Sequence, residues 1–246
     1  MTDVPPISSE RKRSFGSYTF TLLETSELVP RNRRLRFGLP VGQELNFKAG
    51  QYVQMFIPYE GGVRRKAYSI ASSPSHRDYF ELCVTLVDGG LSSTHLHSMK
   101  PGDSIQGLAP LGNFHIQEVT RDLVFVATGS GVAPFRAMVN DLLERGVTNN
   151  MILLYGHRLE SDFIYRSEWD DLARRHKNFR YVFTVSRDRN HVGEHGYVQD
   201  KIVPCIPDYL KKDFYMCGLS NMIMGVNDKL LSLGVPKNQI HFEKYD

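Results

Sequence analysis

The pattern of the chain changes once, near residues 119–121, and that change limits the possible folds more than any other feature. Before it, short runs rich in β-branched and aromatic residues follow one another at 18–24, 33–39, 50–58, 64–74 and 79–87. Val29-Pro30-Arg31-Asn32 supplies the turn between the first two. After it, apolar runs at 123–127, 151–155, 181–185 and 214–217 alternate with helical patterns at 134–145, 166–176, 198–203 and 221–233, and a strand at 239–243 closes the chain. Strands joined by tight turns build a small antiparallel barrel. Strand and helix in alternation build a parallel sheet with helices on both faces. The predicted fold class is therefore two-domain β + α/β, with an antiparallel β-barrel over 15–119 and a parallel-sheet α/β domain over 120–246. Residues 1–14, with paired prolines and the basic triplet Arg11-Lys12-Arg13, read as a mobile arm.

Composition excludes several functions. The net charge is +3, and it is spread evenly: 13 Lys and Arg against 11 Asp and Glu in residues 1–119, and 17 against 16 in residues 120–246. Neither half has the charge of a nucleic-acid-binding domain. Basic residues cluster locally at Arg31, Arg33, Arg34 and Arg36 and at Arg64-Arg65-Lys66, as solvated faces or as surfaces that steer an acidic partner. Cys83, Cys205 and Cys217 form no CxxC pair and are too few for a four-thiolate iron–sulfur cluster, which points to a reducing compartment. No apolar run approaches the ~18 residues of a membrane span, and there is no signal-peptide core, so a cytoplasmic protein is expected. His95 and His97, two apart in a helical stretch, point away from each other, and no metal site is expected.

Chemistry is concentrated in a few segments. Arg64 to Pro74 packs cations, a tyrosine and hydroxyls into one run, and on a strand Lys66, Tyr68 and Ile70 share one face while Ala67, Ser69 and Ala71 share the other. A cation and a ring two residues apart suit a ligand that is anionic at one end and flat at the other; an edge strand with a basic end is the alternative. Gly89-Gly90-Leu91-Ser92-Ser93-Thr94 leads into a short helix whose N-terminus can face an anion, or is simply capped by serine. Thr128-Gly129-Ser130-Gly131 with Pro134 forms a glycine-rich strand-to-helix turn, suited to pyrophosphate or to a tight crossover. Ser186, Arg187 and Arg189 follow the 181–185 strand, with Tyr197 and Gln199 further on; hydroxyl, guanidinium and ring suit a ribose 2′-phosphate with its adenine, or an exposed loop. Cys217-Gly218 ends the next strand.

Taken in order, these segments resemble the FAD-dependent ferredoxin–NADP reductase family over residues 15–246. Lys66-Ala67-Tyr68-Ser69 is similar to the family's flavin motif, and Gly90, Ser92, Ser93 and Thr94 to its pyrophosphate-holding segment. Residues 128–136, TGSGVAPFR, resemble the pyridine-nucleotide loop, Ser186-Arg187 with Tyr197 the 2′-phosphate site, Cys217-Gly218 the nicotinamide strand, and Glu243-Lys244-Tyr245 the C-terminal carboxylate and aromatic. The resemblance implies a monomeric enzyme that takes a hydride from NADPH to FAD and passes single electrons to ferredoxin or flavodoxin. It implies that Tyr68 and Tyr245 cover the two faces of the flavin ring, with Ser69 near its reactive edge and Cys217 and Glu243 lining the nicotinamide pocket. An oxygenase reductase component and an NAD(P)H:flavin reductase are the alternatives, and a nonenzymatic nucleotide-binding module is a third. The chain departs from the pattern at Lys66, where arginine is usual, at Leu219, where proline is common, and in the trailing Asp246. Arg65 replaces the missing arginine only if its strand bulges.

Overall fold

The structure is a computed structural model that describes residues 15–245. The arm expected over 1–14 and the trailing Asp246 lie outside the described residues.

The first half is an antiparallel barrel. Its strands are β1 (Gly16–Val29), β2 (Asn32–Gly38), β3 (Tyr52–Tyr59), β4 (Gly62–Ser69), β5 (Tyr79–Thr85) and β6 (Ser104–Leu111), in the order β4-β3-β6-β1-β2-β5, with α1 (Leu91–Ser98) between β5 and β6. Alternation puts Phe20, Leu22, Leu35, Phe37, Val53, Met55, Ile57, Phe80 and Leu82 inside. The sheet closes where the chain leaves β4. Ile70 bridges Leu82, and Ala71 donates its N–H to Glu81 O at 2.8 Å.

The arginines of β2 are held within the fold. Arg31 donates to Leu86 O and pairs with Asp88 at 2.7 Å, and Arg33 donates to His97 O at 2.8 Å, satisfying a carbonyl at the end of α1. Arg34 and Arg36 both pair with Glu24 and Glu81. Intramolecular pairing thus accounts for this cluster, whereas Arg64 and Arg65 of β4 stay exposed.

The second half is a parallel sheet ordered β10-β9-β8-β7-β11-β12. Its elements are β7 (Asp122–Thr128), α2 (Ala133–Glu144), β8 (Met151–His157), α3 (Arg166–Arg175), β9 (Phe179–Val185), β10 (Glu194–His195), α4 (Ile202–Cys205), β11 (Lys212–Leu219), α5 (Ser220–Ser232) and β12 (Ile240–Tyr245). The central strands read as unbroken apolar runs because both faces are covered. Leu123, Phe125 and Ala127 pack with α2 and α3, while Val124 and Val126 pack with α4 and α5. After β7 the chain first builds outward through β8 and later returns to place β11 on the other side. The switch of direction therefore falls between β7 and β11, where open α/β sheets bind ligands.

The two sheets share one apolar seam. Ala49, Ala71, Cys83 and Phe114 of the barrel half belong to the same core as β7, α2 and β11, and Phe114 lies 6.0 Å from Phe135 and 5.9 Å from Tyr215, ring centre to ring centre. Among the described residues no helix is long and apolar enough to cross a membrane, and no group of three or more His, Cys, Asp or Glu is placed to hold a metal ion.

Candidate flavin and nucleotide site

Residues far apart in sequence meet at the seam. Ser69 is the last residue of β4, Cys217 lies in β11, and the parallel register sets Glu243 of β12 directly beside Cys217. Tyr245, at the end of β12, donates from Oη to Ser69 Oγ at 2.7 Å, and Ser69 Oγ donates to Glu243 Oε2 at 3.2 Å. The tyrosine, serine and carboxylate thus form one hydrogen-bonded chain crossing from the α/β sheet to the barrel and back. Burial raises the Glu243 carboxyl above its ordinary pKa, an effect that the Ser69 hydrogen bond opposes. Burial, reinforced by the Glu243 charge, holds the Cys217 thiol well above its ordinary value, and burial does the same to the Tyr245 phenol. Cys217 is therefore a protonated, inert thiol at neutral pH rather than a nucleophile.

Beside this chain lies an exposed strand. Gly62 to Ala67 of β4 are all exposed, Tyr68 is half-buried against the barrel core, and Ser69 is buried. The β3–β4 ladder runs without a bulge from Tyr52 opposite Ser69 to Tyr59 opposite Gly62. Tyr68 and Lys66, opposite Val53 and Met55, accordingly share one face. Arg65, opposite Phe56, lies on the other, its guanidinium 5.0 Å from the Phe56 ring. The bulge that would bring Arg65 beside Tyr68 is absent from this ladder, so Lys66 is the nearest cation to Tyr68 on that face, with Arg64, opposite Ile57, two residues further along it. Burial pushes the Tyr68 phenol up to about 12, so its ring is neutral.

At α1, a Cβ on Gly90 would meet Ser93 Oγ at 2.8 Å and Val87 O at 3.0 Å. The Ser93 hydroxyl accepts from Val87 N at 3.1 Å and donates to Gly90 O at 3.0 Å, which closes the turn. Ser93 thus serves the turn itself, while buried Ser92 and exposed Thr94 flank it at the start of the helix.

The glycine-rich turn after β7 approaches β11 closely. A Cβ on Gly131 would lie 2.3 Å from Cys217 O, and one on Gly218 would lie 2.7 Å from Thr128 Oγ1. Gly129 has φ of +57°, and Pro134 sits in the first turn of α2, where its missing N–H leaves no bond unmade. Thr128 Oγ1 is buried with no hydrogen-bond partner among the described residues.

Sequence reasoning missed two residues that support this turn. Tyr155 Oη donates to Gly129 O at 2.9 Å, and His157 Nε2 lies 2.9 Å from Tyr155 Oη. Burial lowers the His157 pKa to about 4, so the ring is neutral. The only sequence signal for them is their place at the end of β8, next to β7.

Ser186, Arg187, Arg189 and Tyr197 are exposed beyond the end of β9. The N–H groups of Ser186 and Arg187 bond to His157 O and Arg158 O, extending the β8–β9 pairing into the loop. Among the described residues neither Arg187 nor Arg189 has a carboxylate partner. Gln199 has its amide beside Gly225 of α5.

These features fit two nucleotides. The Tyr68 face with Lys66 suits a flat ring and its phosphates, and the glycine-rich turn, packed closely against β11 at Gly131 and Gly218, suits a second nucleotide beside buried Cys217 and half-buried Glu243. The buried Thr128 hydroxyl beside that turn has no hydrogen-bond partner among the described residues. A barrel carrying a flavin-type strand, joined to a nucleotide-binding sheet with its switch point at the seam, defines a flavin- and pyridine-nucleotide-dependent oxidoreductase.

Comparison with known proteins gives the family. The oxidoreductase FAD-binding domain matches residues 19–116 and the oxidoreductase NAD-binding domain residues 125–228. Ferredoxin–NADP reductase B of Sorangium cellulosum is 36% identical over 239 residues, which is 92% of this chain and 96% of that protein. The toluate 1,2-dioxygenase electron transfer component of Pseudomonas putida is 29% identical over 98% of this chain and 71% of its own length. The phenol 2-monooxygenase reductase component of a Pseudomonas species is 32% identical over 84% of this chain, which spans only 60% of it. Among solved structures, an Amycolatopsis cytochrome P450 reductase superposes with a TM-score of 0.86 at 26% identity, covering 94% of this chain and 70% of that one. A Neisseria gonorrhoeae ferredoxin NADP+ reductase with bound FAD and NADP superposes at 0.80 and 21% identity, covering 95% and 99%, a likeness of fold. The chain belongs to the ferredoxin reductase family, with FAD and a nicotinamide dinucleotide as its cofactors.

Proposed function

We propose that this chain is a ferredoxin– or flavodoxin–NADP reductase, with FAD on the barrel of residues 15–119 and NADPH on the α/β domain of residues 120–246. The observation that carries this reading is the Tyr245–Ser69–Glu243 chain with Cys217 beside it, built from strand ends of both domains. FAD supplies the redox chemistry, converting a hydride donor's electron pair into single electrons, so the protein's task is placement and electrostatics.

Tyr68 offers its face to the ring, and Lys66, Ala67, Gly90, Ser92 and Thr94 serve the ring and its pyrophosphate. Thr128, Gly129, Gly131 and Pro134 receive the second nucleotide's pyrophosphate, Cys217 and Gly218 its nicotinamide, and Ser186, Arg187, Arg189 and Tyr197 its 2′-phosphate and adenine. Ser69 has its O–H aimed at Glu243 and accepts from Tyr245, so a proton can be held or passed along that chain. The neutral Cys217 thiol keeps the pocket free of a second negative charge. Tyr245 lies over Ser69 and moves aside when nicotinamide enters. Preference for NADPH is supported by the two guanidinium groups of Arg187 and Arg189, which have no carboxylate partner among the described residues. The enzyme works as a monomer in the cytoplasm, with a transient acidic protein carrier as its partner.

An oxygenase reductase role is the second reading, favoured by relatives such as the toluate and phenol oxygenase components. Identity favours the first, at 36% to the ferredoxin–NADP reductase against 29% and 32% to those components. The FAD-loaded protein should reduce ferredoxin or flavodoxin with NADPH, faster at low than at high ionic strength. Absence of any NADPH-dependent carrier reduction would sink the proposal. Transfer confined to an iron–sulfur oxygenase component would establish the second reading instead.

A further inference from the structure

Arg136 stands one turn into α2, five residues beyond Gly131, and touches neither the Tyr68 face nor the glycine-rich turn. Its side chain is 15% exposed, and its Nε and Nη1 each donate to two acceptors. Nη1 donates to Glu81 Oε2 at 2.8 Å and to Ala71 O at 3.0 Å, both in the barrel. Nε donates to Glu168 Oε2 at 2.8 Å and Oε1 at 2.9 Å on α3. Its Cζ lies 4.6 Å from the ring centre of Tyr165, a non-glycine residue held at φ of +62°.

Each partner is itself fixed. Glu81 is almost wholly buried, and its other oxygen receives Arg36 at 2.8 Å. Glu168 Oε1 also accepts from Asn140 at 3.1 Å. Ala71 is gripped at both ends, by Glu81 O on its N–H and by Arg136 on its C=O. A line of alternating charge, Arg36–Glu81–Arg136–Glu168, therefore runs from the barrel through α2 to α3.

This arrangement needs an explanation other than stability. A buried ion network often holds a protein together no better than apolar residues of the same volume, because desolvation offsets the attraction. The apolar seam around Phe114 already joins the halves, but apolar contact carries little direction. Guanidinium bonds to three groups at once have a fixed geometry. The groups they fix are close to the chemistry on both sides. Ala71 is two residues from Ser69 in the strand end that carries Tyr68, and α2 begins immediately after the Gly129–Val132 turn.

We infer that Arg136 is a positioning residue for the hydride step, setting the separation and tilt between the Tyr68–Ser69 strand end and the 128–134 turn without touching either cofactor. The inference rests on the reading under Proposed function. Displacement of reacting groups by about 1 Å costs about 10²-fold in rate. Lysine keeps the charge but cannot engage Glu81, Ala71 O and Glu168 together.

The test uses FAD-loaded wild type, Arg136→Lys and Glu168→Gln, which replaces the two charge-assisted bonds of Nε by at most one neutral bond and leaves no unpaired carboxylate. Arg136→Lys should keep the wild-type ratio of flavin to protein and an NADPH dissociation constant within about threefold. Its rate of flavin reduction by saturating NADPH should fall ten- to hundredfold, and the long-wavelength charge-transfer absorbance seen on NADP+ titration should diminish with it. Glu168→Gln should show the same separation of rate from affinity at smaller size. If Arg136→Lys fails to fold, Glu168→Gln decides alone. Wild-type rate and absorbance in the variants, a rise in dissociation constant without loss of rate, or loss of flavin in proportion to activity would each overturn the inference. Wild-type protein that binds no flavin or does not react with NADPH would instead overturn the underlying proposal.

Discussion

Gly131→Ala offers the sharpest test of how the nucleotide turn is built. The added Cβ would sit 2.3 Å from Cys217 O, 2.7 Å from Cys217 C and 2.8 Å from Gly218 Cα, all backbone atoms that cannot swing away. Ordinary contact begins at 3.4 Å, so the turn must lift from β11 by roughly 1 Å or β11 must yield by as much. Overpacking of this kind costs about 1–3 kcal/mol. A cost of 1 kcal/mol lowers Tm by about 2–4 °C in a protein of 150–250 residues, so a fall of several degrees is expected in thermal unfolding followed by circular dichroism. The same displacement separates the turn from Cys217, and flavin reduction by NADPH in stopped flow should slow by about 10²-fold. Gly146→Ala, just beyond α2, is the control. Its φ of +72° makes alanine strained by about 1–2 kcal/mol, yet nothing lies within 4 Å of the new Cβ. It should lose comparable stability while keeping most of the rate. Wild-type Tm and rate in Gly131→Ala would refute the close-packing argument, and equal rate loss in both variants would show that lost stability, not contact with β11, is what matters.

Three further outcomes are expected. His157 is held to a pKa of about 4 by burial against 6.5 in the unfolded chain, so the unfolded state binds the extra proton first as pH falls; stability should drop between pH 6.5 and 4 by about 3 kcal/mol, and urea titrations should show this limb reduced in His157→Gln, with an unchanged limb counting against it. Tyr245→Ser removes the ring whose hydroxyl lies 2.7 Å from Ser69 Oγ and should tighten NADP+ binding severalfold by isothermal titration; unaltered affinity would show that Tyr245 does not compete with nicotinamide. Replacing Ser186 and Arg187 by alanine together should raise KM for NADPH by about tenfold or more, as expected for loss of charge-assisted bonds of about 1.5–3 kcal/mol, and leave KM for NADH nearly unchanged; equal loss with both cofactors would remove the 2′-phosphate assignment.

Fold class was legible because each half repeats its own pattern. Period-two runs separated by turns, and apolar runs alternating with amphipathic helices, are local signals that survive without tertiary information. The β2 arginines show where such signals stop. Arg31, Arg33, Arg34 and Arg36 look alike in sequence, yet their partners Asp88, His97, Glu24 and Glu81 come from the far end of β1, from β5 and from the segment around α1. Charge clustering alone could not distinguish a partner-steering face from a ladder of internal pairs. Strand β10, only two residues long, was below any periodicity.

The site divides along the same line. Lys66 and Tyr68 were placed on one face by strand period alone, and the ladder of β3 and β4 that sets Arg65 apart follows the same rule. Ser69, Cys217, Glu243 and Tyr245 came through the resemblance, since no spacing in the chain says that residues 69 and 245 touch. Tyr155 and His157 carried no motif, and Arg136 appeared only as the last residue of the pyridine-nucleotide loop with nothing to indicate its partners, because Tyr155 and Arg136 act on a backbone carbonyl or a carboxylate supplied by another element and His157 acts on the Tyr155 hydroxyl. Residues that contact a ligand are constrained by the ligand's chemistry and leave a recognisable pattern, whereas residues that set distances between elements are constrained only by the assembled fold. In this chain the two kinds meet within one loop motif, with Gly131 touching β11 and Arg136 holding α2 against the barrel, so precision at the junction depends on contacts that the motif contains but cannot reveal.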